Sequence, residues 1–274
     1  MSAPGATGAG EERTRPPRPH QSRMDDGRRV REVLSYSRRG SRFTPRQAAA
    51  WEAHHGRWVV PDEAVDEPGF SWSPWFGRAA PLAIEVGSGI GEATVSLAAA
   101  RPATNVLALE VWRPGVAETL ARVAEAGLTN VRVCEVDAAW VLEHLVEPDS
   151  LDELWTFFPD PWHKAKHHKR RLLGPAFAAT AARRLRPGAS WRLATDWAAY
   201  AEQMVAVLDA EPRLEGGVVE RWPERPVTKF ERKGLAVGRS ITDLAYRRVA
   251  GGPGLAGDRR PRSAEPHATG PEAS

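Results

Sequence analysis

Short apolar runs alternate with longer segments of helical periodicity from residue 82 onward. Strands are predicted at residues 82–86, 105–109, 131–136, 151–158 and 190–194. The intervening and following segments predict helices at 92–100, 114–126, a short one ending near 145, 171–185 and 197–209. Strands that alternate with helices form right-handed βαβ units, and strands that are apolar throughout are buried on both faces. The pattern therefore predicts an α/β fold with a mainly parallel sheet and helices on both faces.

The segments outside this pattern predict less regular structure. A helix is expected after Thr44, because Thr44 can cap it, Pro45 suits its first position and Gln47 can reach back to the cap. Residues 58–76 predict a loop, and residues 235–248 carry a weaker strand pattern that suits closing antiparallel strands. The expected divisions are a disordered tail at 1–27, a basic arm with a short helix and loop at 28–80, one α/β domain at 81–249 and a disordered tail at 250–274.

Composition and charge narrow the class of protein. The 274 residues contain no apolar run of the roughly 18 to 20 residues that a membrane span needs. The single cysteine, Cys134, cannot form an internal disulfide, which favours a reducing cytoplasm. The net charge is only +3, but Lys and Arg crowd residues 13–46 and 164–171. Such local patches favour a polyanionic partner.

A glycine-rich turn after the first strand of the regular pattern indicates the kind of ligand. Gly87, Gly89 and Gly91 allow a tight turn and a close approach of the backbone to a cofactor. The third glycine comes one residue too early for a dinucleotide fingerprint, and Glu92 stands where the pyrophosphate would sit. This disfavours a nicotinamide dehydrogenase and favours a cationic cofactor without phosphate, such as S-adenosylmethionine.

Acidic residues recur where the predicted strands end. They are Glu85, Glu110, Asp137, Asp160 and Asp196. The carboxyl ends of parallel strands meet at one edge of a sheet, where open α/β sheets bind ligands, so we expect most of these carboxylates to line one crevice. With S-adenosylmethionine there, Glu110 would accept hydrogen bonds from the ribose hydroxyls and Asp137 from the adenine amino group.

The stretch 154–171 joins a strand end to a cluster of cations. Pro159 and Pro161 cannot continue the ladder of a sheet, so the backbone leaves it there and holds Asp160 between two residues of fixed φ. A cationic run follows, and its members suit the phosphates of RNA. The candidate RNA-binding residues are Lys166, His167, His168, Lys169, Arg170 and Arg171, with Lys164 beside them. No metal site is predicted, because these histidines are surrounded by cations and have no acid or cysteine nearby.

Five short motifs stand in order along the chain. They are Glu-Val-Gly-Ser-Gly-Ile-Gly at 85–91, Phe-Phe-Pro-Asp-Pro-Trp at 157–162, Lys-Arg-Arg at 169–171, Ala-Thr-Asp-Trp at 194–197 and Arg-Pro-Val-Thr-Lys-Phe-Glu at 225–231. Together they resemble the motifs of the bacterial tRNA (guanine-N7-)-methyltransferase family. The resemblance covers roughly residues 28–249. It implies a Rossmann-like class I methyltransferase fold with a mainly parallel seven-stranded sheet, and transfer of a methyl group from S-adenosylmethionine to N7 of guanine 46 in the variable loop of tRNA.

The resemblance also implies roles for individual residues. Asp160 is the catalytic residue and, with Glu85, Glu110 and Asp137, contacts the cofactor beside the glycine turn. The substrate-binding residues it implies are Lys164, Asp196, Thr228, Lys229, Phe230 and Glu231. Residues 166–171 correspond to the tRNA-contacting stretch. The expected partner is tRNA, with no membrane and no obligatory protein partner, as a monomer or a homodimer.

Methylation of N7 agrees with the small amount of catalytic equipment in the sequence. Guanine N7 is a lone-pair acceptor on the major-groove edge, so no proton has to be removed from it and no general base is needed. The reaction requires in-line positioning and stabilisation of the positive charge that arrives on the base, which the Asp160 carboxylate can provide. Methylation of another nucleobase position in RNA and non-catalytic RNA binding remain the alternatives.

Overall fold

One sheet of eight strands forms the centre of the molecule. The computed structural model describes residues 35–36, 40–67 and 69–250, so both predicted tails and most of the predicted basic arm lie outside the described residues. The strands are β1 (Val59–Val60), β2 (Leu82–Val86), β3 (Asn105–Leu109), β4 (Val131–Cys134), β5 (Leu151–Phe157), β6 (Leu185–Thr195), β7 (Leu214–Val219) and β8 (Thr242–Arg248). Their order across the sheet is β1-β4-β3-β2-β5-β6-β8-β7.

The sheet is parallel except at one side. β1 to β6 all run parallel to one another, whereas β8 is antiparallel to its two neighbours, β6 and β7. The predicted α/β fold with a mainly parallel sheet is therefore confirmed, and the expected antiparallel closure is present. The expected number of strands was seven, and the additional strand is β1, in which two β-branched residues extend the edge of β4.

Helices cover both faces of this sheet, as predicted. They are α1 (Pro45–Trp58), α2 (Asp62–Asp66), α3 (Ser73–Phe76), α4 (Glu92–Ala100), α5 (Arg113–Glu125), α6 (Ala138–His144), α7 (Pro175–Arg184), α8 (Ala198–Asp209) and α9 (Lys229–Ala236). Successive strand residues point to opposite faces, so Ile84 packs with residues of α6, α7 and α8, whereas Ala83 packs with residues of α4 and α5. α1 begins with the predicted capping box of Thr44 and Gln47.

Four predicted boundaries were wrong. Residues 58–76 contain β1, α2 and α3 rather than a loop alone. The cationic residues 164–171, called the basic run below, were expected to lead directly into a helix. Instead they form a separate 3-10 helix, Ala165–Arg170, and α7 begins only at Pro175, which suits a first helical position. β6 was expected to begin at Ser190 but begins at Leu185, which already pairs with Leu151 of β5. A register irregularity follows, and regular pairing starts with Ser190 opposite Glu153. Leu235 lies in α9, so the last strand begins at Thr242.

Candidate active site

A cavity opens at the carboxyl edge of the parallel strands. Its wall combines backbone, carboxylate and apolar groups, as is usual for a small-molecule site. Six predicted site residues line it: Gly87, Gly89, Glu110, Asp137, Asp160 and Phe230. Apolar walls come from Val86, Leu109, Val136 and Leu172, and no Lys, Arg or His of the described residues contributes to the lining. The cavity therefore suits a ligand that is partly apolar and cationic.

The glycine turn at the end of β2 is held in shape by Glu110. One carboxylate oxygen accepts a hydrogen bond from the Gly89 amide at 2.7 Å, and the other accepts from the Trp112 amide at 2.8 Å. Gly89 has φ of 61° and Gly91 has φ of 75°, a region that glycine adopts without strain. A Cβ on Gly91 would also lie 2.6 Å from the Thr119 hydroxyl. Gly91 thus shapes the turn without lining the cavity.

Two further predicted cofactor ligands occupy different environments. Asp137 caps α6 by accepting a hydrogen bond from the Trp140 amide at 3.0 Å, and it remains part of the cavity wall. Glu85 is only 3% exposed and accepts a hydrogen bond from the Thr94 hydroxyl. Burial, opposed in part by that hydrogen bond, raises the pKa of Glu85 to about 7. Glu85 therefore lies between β2 and α4 rather than on the cavity wall.

Asp160 stands in a sharply folded turn after β5. Phe158 and Trp162 flank the Pro-Asp-Pro segment with φ of 54° and 45°, a left-handed conformation that is costly for bulky residues and concentrates at functional sites. The Phe158 amide still donates to the Ala194 carbonyl at 2.7 Å, which keeps the turn joined to β6. The sequence placed Asp160 between two prolines, but it gave no sign of these backbone conformations.

Asp160 also belongs to a second, more open cavity. The lining of that cavity comprises Asp160, Pro161, Trp162, His163, Lys164 and His167. Among the described residues, Asp160 is the only one that lines both this cavity and the first. A ligand in the first cavity and a ligand in the second would therefore meet at the Asp160 side chain.

The structure separates the members of the basic run. Lys164, Lys166, His168 and Lys169 are exposed. Arg170 stacks on the Trp162 ring at 3.5 Å and donates to the Tyr36 carbonyl at 2.9 Å. Burial and then the charges of Lys166 and other neighbouring cations lower the pKa of His167, which favours its neutral form.

The expected phosphate contact by Arg171 does not agree with its surroundings. This side chain is buried, donates to the Pro161 carbonyl at 2.9 Å and to Gln203 at 2.6 Å, and lies over the Tyr200 ring at 4.8 Å. Its guanidinium therefore fixes the turn that carries Asp160 and faces away from solvent.

Two residues of the predicted substrate segment 228–231 are buried and bonded within the protein, and the other two are exposed. Thr228 caps α9 by accepting from the Glu231 amide. Glu231 is 2% exposed and binds the Arg225 guanidinium at 2.5 Å, so its carboxylate is held by protein groups, and a substrate contact by Glu231 stays a prediction. Lys229 and Phe230 are exposed, and Phe230 reaches the first cavity.

Arg225 is a site-supporting residue whose function sequence reasoning missed. Its side chain is fully buried and also binds Asp243 of β8 at 2.8 Å. Its guanidinium carbon lies 5.4 Å from the ring centre of Phe158, the residue that begins the strained turn. Burial alone would lower the pKa of Arg225, but the hydrogen bonds and charges of Asp243 and Glu231 more than offset it and raise the pKa.

Asp196, at the end of β6, lies apart from the first cavity. Its carboxylate accepts from Arg239 at 2.7 Å, and Gly234 of α9 lies so close that a Cβ there would come within 2.9 Å of it. Three of the five acids expected at one crevice therefore line the first cavity, whereas Glu85 and Asp196 are engaged nearby.

The described residues contain neither a cluster of metal-ligating side chains nor a helix that could span a membrane. No group of three or more His, Cys, Asp or Glu side chains there is arranged to hold a metal ion. None of the helices described has the length and apolar character needed to cross a membrane.

Comparison with known proteins places this geometry among methyltransferases. Residues 79–244 match the family model described as "Putative methyltransferase". The chain is 71% identical over 234 residues to a tRNA (guanine-N(7)-)-methyltransferase of Nocardioides sp., covering 85% of this chain and 94% of that protein. Proteins of the same name from Cutibacterium acnes and Burkholderia cenocepacia are 46% and 47% identical, covering 81% and 80% of this chain and 86% of each relative.

Proposed function

The chain belongs to the bacterial tRNA (guanine-N7-)-methyltransferase family, and from that premise we propose that it methylates guanine 46 in the variable loop of tRNA. The enzyme transfers a methyl group from S-adenosylmethionine to N7 of a guanine in tRNA. The position within tRNA is our proposal, and it rests on the family resemblance. The single structural observation that supports methyl transfer to a tRNA base is the location of Asp160 between a cavity free of described cations and a second cavity beside exposed lysines.

The first cavity fits the cofactor by its chemistry. When bound, S-adenosylmethionine supplies an electrophilic methyl group on a sulfonium centre. The wall presents the carboxylates of Glu110, Asp137 and Asp160 and no cation from the described residues, so it suits a positively charged ligand without phosphate. Glu92, at the start of α4, forms an ion pair with Arg232 at 2.6 Å. Its carboxylate stands where a helix N-terminus would otherwise bind a pyrophosphate, which further disfavours such a ligand.

Within that cavity we assign different tasks to the carboxylates. Glu110 fixes the glycine turn and, through its remaining lone pairs, accepts from the ribose hydroxyls. Asp137 accepts from the adenine amino group. Glu85 supports the turn from within and adds a charge when it ionises.

Asp160 acts on the base rather than as a proton acceptor for N7. The lone pair of N7 attacks the methyl carbon directly, so catalysis consists of orientation and of stabilising the positive charge that arrives on guanine. The negative charge of the Asp160 carboxylate provides that stabilisation, and the carboxylate can also accept hydrogen bonds from N1–H and the amino group of the guanine. The Arg171 contact to Pro161 and the Arg225 packing on Phe158 hold this turn, which keeps the carboxylate in place.

The exposed lysines of the basic run supply the affinity for RNA. Lys164, Lys166 and Lys169 would bind phosphates in a salt-sensitive way that carries little sequence information. Selection of one guanine then depends on the folded shape of tRNA, which presents a single accessible base. tRNA in the cytoplasm is the substrate that we propose.

Nucleoside analysis tests this function. Unmodified tRNA is incubated with methyl-labelled S-adenosylmethionine, digested and separated, and the labelled position is mapped. We expect label only in 7-methylguanosine at position 46. Label in another nucleoside would favour methylation of a different nucleobase position, and cofactor binding without any transfer would favour a non-catalytic RNA-binding protein.

A further inference from the structure

His163 is an exposed aromatic residue of the second cavity, and another aromatic residue supports its ring. It lines this cavity together with Asp160. The centre of its imidazole lies 4.0 Å from that of the Trp197 indole, and Trp197 does not line the cavity. The imidazole of His163 therefore stands between the indole and the open space of the second cavity.

The supporting indole is itself fixed in the fold. Trp197 packs half-buried against the hydrophobic core, and its amide donates to the Thr195 hydroxyl at 3.3 Å. The guanidinium of Arg239 lies 5.2 Å from the centre of the indole ring and binds Asp196 at 2.7 Å. A side chain that packed neighbours already hold loses little further freedom when a ligand contacts it. The ring of His163 is thus preorganised for contact with a planar group.

The other two aromatic residues of this cavity are engaged with protein groups. Arg170 lies over the Trp162 ring at 3.5 Å, and the Trp162 ring nitrogen donates to the Ser35 carbonyl at 2.9 Å. The half-buried His167 packs near the same indole, with the ring centres 5.9 Å apart. Among the described residues, His163 is therefore the one exposed aromatic side chain in the wall of the second cavity.

The short segment 160–164 presents three chemically different groups to this cavity. Asp160 has a carboxylate, His163 has a planar ring and Lys164 has an exposed ammonium group. A guanine nucleotide carries the matching groups, which are a base edge with N–H donors, a base face and a phosphate. Bases that have left their stack are covered by aromatic side chains, and histidine is one of those used. The three groups together therefore suit one unstacked guanine nucleotide.

We propose that His163 stacks on the face of the target guanine while Asp160 contacts the edge of the same base. The stack then runs from Arg239 through Trp197 and His163 to the guanine, and it defines the plane in which N7 meets the methyl group. His163 is thus a base-stacking residue of the methylation site. This inference deepens the proposed function and rests on it, since it requires a guanine of tRNA as the methyl acceptor.

Two substitutions of His163 separate stacking from other contacts. His163→Ala removes the ring, whereas His163→Phe keeps a flat ring and removes both nitrogens. His55→Ala is the matched control, because His55 is also an exposed histidine stacked on a tryptophan, Trp51 at 5.4 Å, but it lines neither cavity. Each protein is titrated with two tRNA molecules that differ only at position 46, one with guanosine and one with an abasic ribose. Methyl transfer, S-adenosylmethionine binding and thermal unfolding are measured alongside.

The expected losses are specific to the base. His163→Ala should bind the guanosine tRNA about 5- to 30-fold more weakly than wild type, in the lower part of the range for one lost base stack because imidazole is a small ring. His163→Phe should stay close to wild type, since stacking needs a ring face and no nitrogen. The abasic tRNA should bind wild type more weakly than the guanosine tRNA does, and all four proteins should bind the abasic tRNA alike. Cofactor binding and thermal unfolding should remain at the wild-type level.

Four outcomes would overturn the inference or its premise. If His163→Ala binds the guanosine tRNA as the His55→Ala control does, His163 does not contact the base. Equal losses for the guanosine and abasic tRNA would place the contact on the RNA backbone, and equal losses in His163→Ala and His163→Phe would assign it to a ring nitrogen. If wild type transfers no methyl group to the guanosine tRNA, the proposed function itself fails, and that assay involves no variant.

Discussion

At the scale of single residues, Asp160 is the side chain whose surroundings are most specialised. Its turn contains two bulky residues with positive φ, and the buried guanidinium of Arg171 holds the following carbonyl. Strain of this kind costs on the order of 1–3 kcal/mol per residue and persists only where the surrounding structure imposes it. The turn therefore holds one carboxylate at a defined place between two cavities.

Replacing Asp160 with Asn tests the charge without changing the shape of the side chain. We expect kcat for methyl transfer to fall by roughly 10²- to 10³-fold, the scale for loss of one preorganised electrostatic group. Thermal stability should change little, whereas S-adenosylmethionine binding should weaken, because Asp160 is one of the three carboxylates that line the first cavity. Asp149→Asn is the control, since Asp149 is an exposed acid away from the cavities. Near wild-type turnover by Asp160→Asn would assign Asp160 a structural role.

Glu85 leads to a pH prediction. Its pKa is raised from the ordinary 4.5 to about 7 by burial, so between these pH values the native protein holds a proton that the unfolded chain has released. The stability that protonated Glu85 allows is therefore fully present below about pH 4.5. The free energy of unfolding then decreases as pH rises to about 7. Glu85→Gln cannot ionise and should be more stable than wild type at pH 8 by up to about 3 kcal/mol. Urea unfolding from pH 5 to 8 checks this, and parallel curves for the two proteins would contradict it.

The sequence predicted which residues lie at the site where their place at a strand end determined it. Glu110, Asp137 and Asp160 follow strand ends and were expected at one crevice, which they line. Burial of Arg171 and Glu231 was not predictable, because it depends on partners distant in sequence, Gln203 for one and Arg225 with Arg221 for the other. A charged residue in a polar segment gives no signal that such partners will enclose it.

At the scale of elements, α9 depends on buried charges rather than on an apolar stripe. Arg225 connects Glu231 of this helix to Asp243 of β8 and packs beside Phe158. Through these contacts the helix that carries Phe230 is joined to the turn that carries Asp160.

Replacing Arg225 with Met tests this connection. The change removes the buried cation between Asp243 and Glu231 and leaves Glu231 with only the more exposed Arg221, and breaking a buried ion pair in this way costs about 3–5 kcal/mol. We expect a loss of that size in the free energy of unfolding, measured with urea. Arg247→Met, which breaks the exposed pair with Glu215, should cost no more than about 1 kcal/mol. Equal losses in the two variants would show that the buried cluster has no special importance.

The regular elements were easier to predict than the irregular ones. The bounds of β2, β3 and α4 agree with the expected ranges, because their apolar periodicity is strong and uninterrupted. β7 was not predicted, since Gly216 and Gly217 interrupt its pattern and side chains around them are exposed. Proline and aromatic residues in 58–76 suggested a loop, whereas packing of Trp72 and Phe76 into the core stabilises short helices there.

At the scale of the whole molecule, the sheet separates charges of opposite sign around one edge. Carboxylates line the first cavity, and exposed lysines lie beside the second. A cationic cofactor and a polyanionic substrate therefore approach the same turn, each through a surface of the opposite charge. The parallel topology was predictable from the alternation of strands and helices, but the second cavity was not, because it depends on the strained turn.

The salt dependence of tRNA binding tests this arrangement. Replacing Lys164, Lys166 and Lys169 together with Ala should lower the magnitude of the slope of log K against log salt by about 2 to 3. Cofactor affinity should not change, because none of these side chains lines the first cavity. Arg171→Ala provides the contrast: it should lower thermal stability with little direct effect on the slope. A slope that stays the same in the triple variant would mean that tRNA docks elsewhere.

If the methyl group goes to N7 of one guanine, a tRNA that lacks this nitrogen cannot accept it. The most direct test uses two tRNA molecules that differ only at position 46, one with guanosine and one with 7-deazaguanosine, which has carbon in place of N7 and so no lone pair to methylate. Transfer from labelled S-adenosylmethionine is measured for both, with tRNA binding as the check that the second molecule still docks. We predict stoichiometric methylation of the first and none of the second at equal affinity, and label in the 7-deazaguanosine tRNA would contradict the account.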